Sequence, residues 1–349
     1  MTPETAELAP GYRISRVLRG GWQLAGGHGP VEEERAVADM AAFVEAGVTT
    51  FDCADIYTGV EEMIGRFRER LLQERGSEAL RSFKVHTKFV PDWDDLARVD
   101  RAYVRTIIDR SLQRLRQERL DLVQFHWWNY AVPGAVEAAG LLKELQDEGK
   151  IHLLGGTNFD TAHCRAMLDA GVPLVSMQVQ YSLLDDRPEH ELVQLCAERG
   201  MQLLCYGTVA GGFLSERWLG KPEPTEGFAN RSLVKYKLII DDFGGWELFQ
   251  ELLGVLKRVG AKHGVSLTAV ATRWILDKPG VAGAIIGARY AEHLPDNLTV
   301  FGFALDAEDR AAIEAVLARR TGPEGDTFTL ERDREGRHGR IMKYNLNKD

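Results

Sequence analysis

Four polar side chains lie at or just past the ends of three successive strand-like segments in the first third of the chain. They are Asp52 and Tyr57 after residues 47–51, Lys88 after residues 83–87, and His126 after residues 122–125. A strand surrounded by helices uses its side chains for burial, so four such groups at successive strand ends are typical of a catalytic site. The pattern indicates an enzyme.

The four side chains together suit reversible protonation of an oxygen atom. A phenol has a pKa of about 10, and a neighbouring ammonium lowers it, so Tyr57 beside Lys88 could donate and accept a proton near pH 7. A carboxylate at Asp52 would keep the ammonium charged, and His126 could donate a hydrogen bond to a substrate oxygen or relay a proton. This chemistry is that of carbonyl reduction, in which oxygen gains negative charge as hydride reaches its carbon.

Each of these residues also has a purely structural explanation. Asp52 could cap a turn, Tyr57 could pack half-buried, Lys88 could extend to solvent, and His126 could be a hydrogen-bonded rim residue. That explanation needs the same coincidence on three consecutive strands. Two neighbours could be confused with the set: Asp55 is expected to bind its own loop, and His86 to face the same way as Lys88 but deeper.

Composition restricts the class of protein. The 349 residues are 44% hydrophobic and 27% charged, enough for one barrel-sized domain or two ordinary ones. A net charge of -9 argues against nucleic-acid and anionic-membrane partners, which require surplus Lys and Arg. Small soluble partners fit better, and the sequence does not indicate an oligomeric state.

Cysteines and termini bear on the compartment. The four cysteines form no CxxC pair, which predicts buried free thiols in a reducing cytosol. Residues 1–7 are acidic and lack an apolar h-region, and no run approaches the roughly 18 apolar residues of a membrane span. We therefore expect a cytoplasmic protein.

Helix-period segments alternate with short β-rich segments along most of the chain. The predicted strands are residues 15–21, 48–51, 83–87, 122–125, 151–154, 175–179, 202–206 and 283–286. The predicted helices are residues 31–45, 61–74, 100–117, 133–148, 188–199, 246–263 and 267–276. About eight βα units close a parallel barrel of this length, so the prediction is an α/β fold with a single (β/α)8 TIM barrel and long loops at its C-terminal face.

Two stretches interrupt the alternation. Residues 215–245 are rich in Pro, Gly and mixed charge, which predicts a long loop that is a candidate lid. The barrel is expected to span residues 1–320. The tail, residues 321–349, is either disordered or folds back over a barrel end through Ile341, Met342, Tyr344 and Leu346.

The first motif resembles a known family. Residues 51–65, Phe-Asp-Cys-Ala-Asp-Ile-Tyr-Thr-Gly-Val-Glu-Glu-Met-Ile-Gly, resemble the Asp-Thr-Ala-x-x-Tyr-Gly-x-Ser-Glu-x-x-x-Gly signature of the aldo-keto reductases, and residues 87–88 and 111–126 extend the match. The resemblance implies that Asp52, Tyr57, Lys88 and His126 form the family's catalytic tetrad, with Tyr57 as general acid. Departures at positions 53, 58 and 60 affect subfamily and substrate rather than the tetrad.

The resemblance continues into segments that would bind the nicotinamide end of a cofactor. Residues 156–159, Gly-Thr-Asn-Phe, are similar to Gly-x-Ser-Asn-Phe, which implies that Thr157 and Asn158, with Gln178, bind the nicotinamide carboxamide. Residues 206–214 resemble Tyr-Ser-Pro-Leu-x-x-Gly-x-Leu, although 207–209 differ. This implies stacking by Tyr206 and a loop along the pyrophosphate that includes Gly207, Thr208 and Gly211.

A hydride carrier is required because no side chain supplies hydride. Since the Gly-x-Gly-x-x-Gly fingerprint is absent, a doubly wound dinucleotide domain is disfavoured. Phosphate binding is assigned to the loop after the last strand and the helix that follows, a suitable anion site. Its resemblance to the family's adenosine-phosphate site implies roles for Gly287, Arg289, His293, Asp296 and Asn297. Arg289 could contact a 2′-phosphate, which favours NADPH, with NADH possible.

Aromatic residues after the strands suggest the substrate. Trp22, Trp93 and Trp127 lie in loops on the expected active face, and their rings favour an apolar or aromatic carbonyl compound. Loop packing is the alternative for Trp93, as it is for Trp128. No metal is expected, because no His-x-His or His-Glu cluster lies at a strand end.

Two other functions are compatible with this sequence. One is a non-catalytic nicotinamide-binding regulator on the same barrel. The other is a Schiff-base enzyme with Lys88 as nucleophile, which would need a lowered lysine pKa, whereas an adjacent Asp52 should raise it.

Overall fold

Eight parallel strands form a closed barrel in the computed structural model, which describes residues 3–347. Each strand pairs with the next along the chain, and the last pairs with the first. Two strands, β1 and β2, precede the barrel and form a hairpin described below. The barrel strands are β3 (Val17–Gly20), β4 (Thr50–Asp52), β5 (Lys84–Phe89), β6 (Leu120–Phe125), β7 (Ile151–Thr157), β8 (Leu174–Gln180), β9 (Gln202–Tyr206) and β10 (Val281–Gly287). The predicted single (β/α)8 barrel is confirmed.

Helices pack around the barrel through their apolar faces. They are α1 (Glu33–Glu45), α2 (Val60–Ser82), α3 (Arg101–Leu115), α4 (Ala135–Asp147), α5 (Thr161–Asp169), α6 (Leu192–Arg199), α7 (Arg231–Phe243), α8 (Gly245–His263), α9 (Leu267–Leu276), α10 (Leu294–Leu298), α11 (Ala307–Leu317) and α12 (Thr329–Arg332). In α1 the buried residues recur at helical spacing, with Met40 and Phe43 fully enclosed. Side-chain caps fix several starts, such as Asp100, which accepts a hydrogen bond from the Tyr103 backbone.

The register of the barrel brings the polar strand ends together. Asp52 pairs with Gly20 on one side and with His86 on the other, while Lys88 pairs with Gln124 on β6. Because all eight strands run in the same direction, their carboxyl ends open at one end of the barrel. The residues predicted from the first motifs are therefore neighbours in space.

A β-hairpin that the sequence did not predict covers the amino-terminal end. Its strands are β1 (Thr5–Ala9) and β2 (Tyr12–Ser15), which pair antiparallel. Leu8, Tyr12 and Ile14 are buried against barrel residues that include Leu18 and Leu204. The hairpin closes this end of the barrel with apolar side chains.

The two stretches that interrupt the alternation are both ordered. Helix α7 forms inside the predicted 215–245 loop, and the tail returns to the carboxyl end of the barrel, where the Leu346 and Asn347 backbone amides donate to Asp92 Oδ1 at 2.9 and 3.0 Å. The backbone carbonyl of Tyr344 accepts a hydrogen bond from the backbone amide of Trp93. The last two residues of the tail, 348 and 349, lie outside the described residues.

All four cysteines, Cys53, Cys164, Cys196 and Cys205, are buried as free thiols, as the sequence predicted. Burial raises the pKa of each thiol above its usual value. Between residues 3 and 347, the chain contains no helix with the length and apolar character needed to cross a bilayer.

Candidate active site

A cavity of about 490 Å³ opens at the carboxyl end of the barrel. Asp52, Tyr57, Lys88 and His126 all line it. So do all the residues expected at the nicotinamide and pyrophosphate, namely Thr157, Asn158, Gln178, Tyr206, Gly207, Thr208 and Gly211. The volume falls in the range of small-molecule sites in proteins.

Lys88 and Asp52 form a buried ion pair between adjacent strands. Lys88 Nζ donates to Asp52 Oδ2 at 2.7 Å and to the Cys53 carbonyl at 2.9 Å, and both side chains are buried. Burial alone would lower the pKa of the Lys88 ammonium, but Asp52 and the Tyr57 phenol outweigh it and raise that pKa. Lys88 is therefore charged, which is unsuited to a Schiff-base nucleophile.

The second oxygen of Asp52 is held by two glutamines. Gln178 Nε2 donates to Asp52 Oδ1 at 2.6 Å and to Gln124 Oε1 at 2.9 Å, and Gln124 Nε2 donates to Asp52 Oδ1 at 3.1 Å. With every partner buried, the carboxylate is fixed in position. Sequence analysis missed Gln124, although its spacing two residues before His126 places both on the same side of the chain as it leaves β6.

Tyr57 lies beside the ion pair, with its ring centroid 5.1 Å from Lys88 Nζ and 5.0 Å from the Trp22 ring. The pKa of the Tyr57 phenol is raised, because burial outweighs the opposing effect of Lys88. The expectation of a lowered pKa was wrong, since it took account of the ammonium and not of burial. Tyr57 is thus a neutral phenol near pH 7, which suits a proton donor.

His126 is fixed by a hydrogen bond to the backbone. Its Nδ1 lies 3.0 Å from the Thr157 carbonyl, which can only accept, so we assign the proton to Nδ1. Burial, followed by the charge of Arg332, lowers the pKa of His126 to about 3, so the imidazole is neutral. Nε2 has no partner among the described residues and is left as an acceptor, which does not fit the hydrogen-bond donor expected from the sequence.

The two residues that could be confused with the set lie elsewhere. Asp55 accepts hydrogen bonds from the backbone amides of Ile56 and Val90 at 3.0 and 3.1 Å and binds its own loop. His86 is buried inside the barrel, where its ring stacks on Tyr12 at 6.1 Å. Neither residue lines the cavity.

The region expected to bind the nicotinamide has unsatisfied polar atoms. Tyr206 donates from its hydroxyl to Asn158 Oδ1 at 2.8 Å, while the buried Thr208 Oγ1 has no partner among the described residues. Gly207 and Gly211 have φ values of +71° and +62°, and a Cβ on Gly211 would lie 2.6 Å from the Tyr236 ring. The glycines thus make room for Tyr236, while an open cavity with an unpartnered polar atom fits a polar ligand such as a dinucleotide.

Of the five residues expected at the adenosine phosphate, Gly287 lines the cavity and the other four lie past its edge. Arg289 donates to the carbonyls of His28 and Pro30 at 2.8 and 2.9 Å, and Asp296 Oδ2 accepts from Ser266 at 3.0 Å. His293 is exposed and Asn297 is partly buried. None of the four lines the cavity. The chain carries them outward beyond β10 into a 3-10 turn and α10.

The structure places only one of the three predicted substrate tryptophans in the cavity. Trp22 lines it, whereas Trp127 is fully buried and donates from Nε1 to the Asn129 and Val132 carbonyls. Trp93 packs against Tyr344 at 5.2 Å, outside the cavity. Trp128 lines the cavity instead, 4.3 Å from the His126 ring, because successive residues of an extended chain point to opposite sides.

Sequence analysis also missed the contribution of α7 and the tail. Ser232 at the start of α7 accepts a hydrogen bond from Trp22 Nε1 at 3.3 Å, which connects α7 to the loop after β3. Further cavity residues from these two segments are Asn230, Arg231, Lys235, Tyr236, Phe328, Ile341, Met342, Lys343 and Leu346. Sequence analysis had proposed a lid in residues 215–245 and named four tail residues. Of those four, Ile341, Met342 and Leu346 line the cavity.

Two charged residues of α12, Glu331 and Arg332, bind the tail to the barrel. Glu331 accepts two hydrogen bonds from Arg187 at 2.9 and 3.0 Å, and Arg187 also pairs with Asp185. Arg332 donates to the carbonyls of Trp128 at 2.9 Å and Asn158 at 2.6 Å, directly beside the cavity. The tail is therefore part of the structure that shapes the site.

Comparisons with known proteins agree with this geometry. The model of the aldo/keto reductase family matches residues 16–318. The aldo-keto reductase YhdN of Bacillus subtilis strain 168 is 28% identical over 336 residues, which are 93% of this chain and 97% of that protein. The NADH-specific methylglyoxal reductase of Escherichia coli K12 is 25% identical over 311 residues, covering 85% of this chain and 92% of its own length.

A solved structure extends the likeness. The glycerol dehydrogenase of Gluconobacter oxydans superposes with a TM-score of 0.75 at 26% identity, over 94% of this chain and all of that one. The match covers the barrel and most of the chain beyond it. On the family model, these relatives and the fold, this chain belongs to the aldo/keto reductase family of NAD(P)H-dependent carbonyl oxidoreductases.

Proposed function

We propose that Tyr57 is the general acid of carbonyl reduction in this protein, assisted by Lys88, Asp52 and His126. The observation that carries the proposal is the buried Lys88–Asp52 ion pair beside a neutral phenol in the main cavity. A charged ammonium next to the phenol stabilises the phenolate left after proton donation. The carboxylate holds that ammonium in its charged form.

A bound nicotinamide cofactor would supply the hydride. Thr157, Asn158 and Gln178 would hold its carboxamide, and Tyr206 would stack on the ring. Gly207, Thr208 and Gly211 would lie along the pyrophosphate. The unpartnered Thr208 hydroxyl and the position of these residues on the cavity wall support this assignment.

Each remaining group has a defined part in the proton transfer. Tyr57 donates its phenolic proton to the substrate oxygen as the carbon is reduced, and Lys88 stabilises the resulting phenolate. His126, neutral with Nε2 free, accepts a hydrogen bond from the hydroxyl of the product alcohol once that hydroxyl turns away from Tyr57. In the oxidation direction the hydroxyl turns from His126 Nε2 to the Tyr57 oxygen, to which it then gives its proton.

NADPH is the proposed preferred cofactor, with NADH as the alternative. Gly287, Arg289, His293, Asp296 and Asn297 would form the adenosine-phosphate site, in which Arg289 would read the 2′-phosphate. The Escherichia coli relative is named as NADH-specific, so the family uses both carriers. The names of the relatives also suggest small oxygenated substrates such as methylglyoxal or glycerol.

The test is oxidation of NADPH, with NADH in parallel, against a panel of aromatic and aliphatic aldehydes. Wild type should turn over at least one aldehyde, and Tyr57→Phe should lower kcat by about 10²–10⁴-fold, the usual size of general acid catalysis. Tyr130→Phe is the matched control, because Tyr130 lies at the same end of the barrel but does not line the cavity. Unchanged turnover in Tyr57→Phe would remove Tyr57 from the acid role.

A further inference from the structure

The Lys235 ammonium lines the cavity without an ion-pair partner among residues 3–347. Lys235 of α7 lines the cavity, and its Nζ lies 5.0, 5.6 and 5.8 Å from the ring centroids of Tyr206, Tyr236 and Phe328. Among the described residues, its Nζ makes no hydrogen bond or ion pair. The three rings surround the charge with cation–π contacts alone.

The carboxylates near Lys235 are already engaged. Both oxygens of Glu331 accept hydrogen bonds from Arg187. Asp185 accepts from Arg187 through both of its oxygens, and Oδ2 also accepts from Gln180. Neither carboxylate is left to bind the Lys235 ammonium.

The charge of the cavity as a whole is positive. Its charged lining residues are Asp52, Lys88, Arg231, Lys235 and Lys343. Asp52 and Lys88 neutralise each other, and the other three are cations without a carboxylate partner among the described residues. Arg231 has only the Ile341 carbonyl, at 3.4 Å. Such a cavity attracts an anionic ligand.

Lys235 belongs to the reacting end of this cavity. Phe328, one of the rings around its ammonium, lies 5.6 Å from the His126 ring. The loop expected along the pyrophosphate is also near, because Tyr236, another of these rings, packs against Gly207 and Gly211. Phe328 lies 5.8 Å from the Lys235 ammonium and 5.6 Å from the His126 ring, so a substrate held near His126 can present an anionic group to Lys235.

We propose that Lys235 binds a carboxylate of the substrate, so that the enzyme prefers carbonyl compounds that carry a carboxylate over their neutral counterparts. The substrate class rests on the proposed function. The ammonium is held by α7 among three aromatic rings with no hydrogen-bonded carboxylate among the described residues, so a carboxylate ligand would add a direct charged contact. Burial lowers the pKa of Lys235, although the charges of Glu331 and Asp185 oppose that effect.

The test compares 4-carboxybenzaldehyde with its neutral methyl ester. Wild type should favour the acid in kcat/KM, and Lys235→Met should reduce that preference by about 10–100-fold, the range for one hydrogen bond to a charged group. Lys235→Arg should retain most of the preference. For each variant the kcat/KM for the acid is divided by its own value for the ester, so that a general loss of activity cancels.

Two controls separate this role from others. Lys237→Met removes a neighbouring charge of α7 that pairs with Glu223 and Asp241 and does not line the cavity, so the preference for the acid should persist. The Kd of NADPH is measured by fluorescence for each variant. A weaker NADPH complex with an unchanged acid preference would assign Lys235 to the cofactor and overturn the proposal.

Failure of the substrate class and failure of the proposed function give different results. Equal kcat/KM for acid and ester in wild type would overturn the carboxylate proposal and leave carbonyl reduction intact. If wild type reduces neither compound, binding of 4-(hydroxymethyl)benzoate and its methyl ester, followed by tryptophan fluorescence, decides the matter. Equal affinities for these two ligands would again overturn the proposal, and tighter binding of the acid that is lost in Lys235→Met would support it.

Discussion

Gln178 donates a 2.6 Å hydrogen bond to Asp52, the carboxylate that also accepts from Lys88. A residue proposed to hold the nicotinamide carboxamide is thereby joined to the groups proposed to move the proton. Movement of the Gln178 amide on cofactor binding would change its hydrogen bond to Asp52 directly. Cofactor binding and proton transfer in the proposed reaction therefore both depend on the buried carboxylate of Asp52.

This link predicts three effects of Asp52→Asn. The variant leaves the Lys88 ammonium buried without a counter-charge, which should lower the free energy of unfolding by about 3–5 kcal/mol. It should also lower kcat and weaken the cofactor complex, because Gln178 loses a charged acceptor. Chemical denaturation, steady-state kinetics and fluorescence titration check the three effects. A variant with normal kcat would contradict the proposed role of the ion pair.

The pH dependence of reduction should lack an acid limb near pH 6.5. His126 has its pKa lowered to about 3, and the pKa values of Lys88 and Tyr57 are raised, so none of these three groups titrates between about pH 5 and 9. The profile of kcat/KM for reduction should be flat there and fall at higher pH as Tyr57 loses its proton. An inflection near 6.5 that disappears in His126→Gln would show that His126 acts as an imidazolium.

The same shift affects stability. Unfolded His126 binds a proton near pH 6.5, whereas the folded residue does so only near 3. The unfolded state therefore gains protons first as pH falls, and the free energy of unfolding decreases from about pH 6.5 toward 3. His126→Gln should show a shallower decrease over this range in denaturation measured at several pH values.

Glu331→Gln should release the tail from the barrel. Burial would raise the pKa of Glu331, but Arg187 outweighs it and lowers that pKa to about 2. The stabilisation is thus present above the unfolded pKa and lost as pH falls toward 2. Breaking the buried pair should cost about 3–5 kcal/mol and increase hydrogen exchange over residues 329–346.

Glu335→Gln is the control for this experiment. Glu335 is exposed, and its nearest cation is Arg340 at 3.9 Å. This substitution should change the free energy of unfolding by less than about 1 kcal/mol. Equal hydrogen exchange in the two variants would show that the Arg187 contact does not hold the tail.

Arg289→Ala should weaken NADPH more than NADH. The guanidinium now donates to the carbonyls of His28 and Pro30, so its loss should also loosen that loop and weaken both cofactors slightly. Only NADPH has a 2′-phosphate to lose a charged contact. Dissociation constants for both cofactors provide the measurement, and equal losses would restrict Arg289 to holding the loop.

Much of the fold followed from local patterns. Alternating apolar segments predicted all eight barrel strands, because each strand is bordered by a helix with its own period. The hairpin of β1 and β2 is stabilised by contacts with distant residues such as Leu204, which no local pattern shows. Helix α7 was not predicted, because the first half of the segment that contains it, residues 215–245, is rich in Pro and Gly.

Site residues at the end of a strand could be predicted from the sequence. Site residues in the loops that follow the strands were harder to predict. Strand ends brought Asp52, Lys88, Thr157 and Tyr206 to one opening, whereas the facing of Trp127 and Trp128 depended on the chain path after His126. Arg231, Lys235 and the tail residues reach the cavity from segments remote in sequence. Their approach is decided by tertiary contacts such as Glu331 with Arg187.

The four buried thiols have a practical consequence for spectroscopy. With every native cysteine enclosed and its pKa raised, the folded protein should react slowly with maleimides and similar reagents. A single cysteine introduced at the exposed Lys343 would then be the main site of labelling, without removal of any native residue. A fluorophore or spin label there, beside the cavity, would follow the tail as ligands bind and leave.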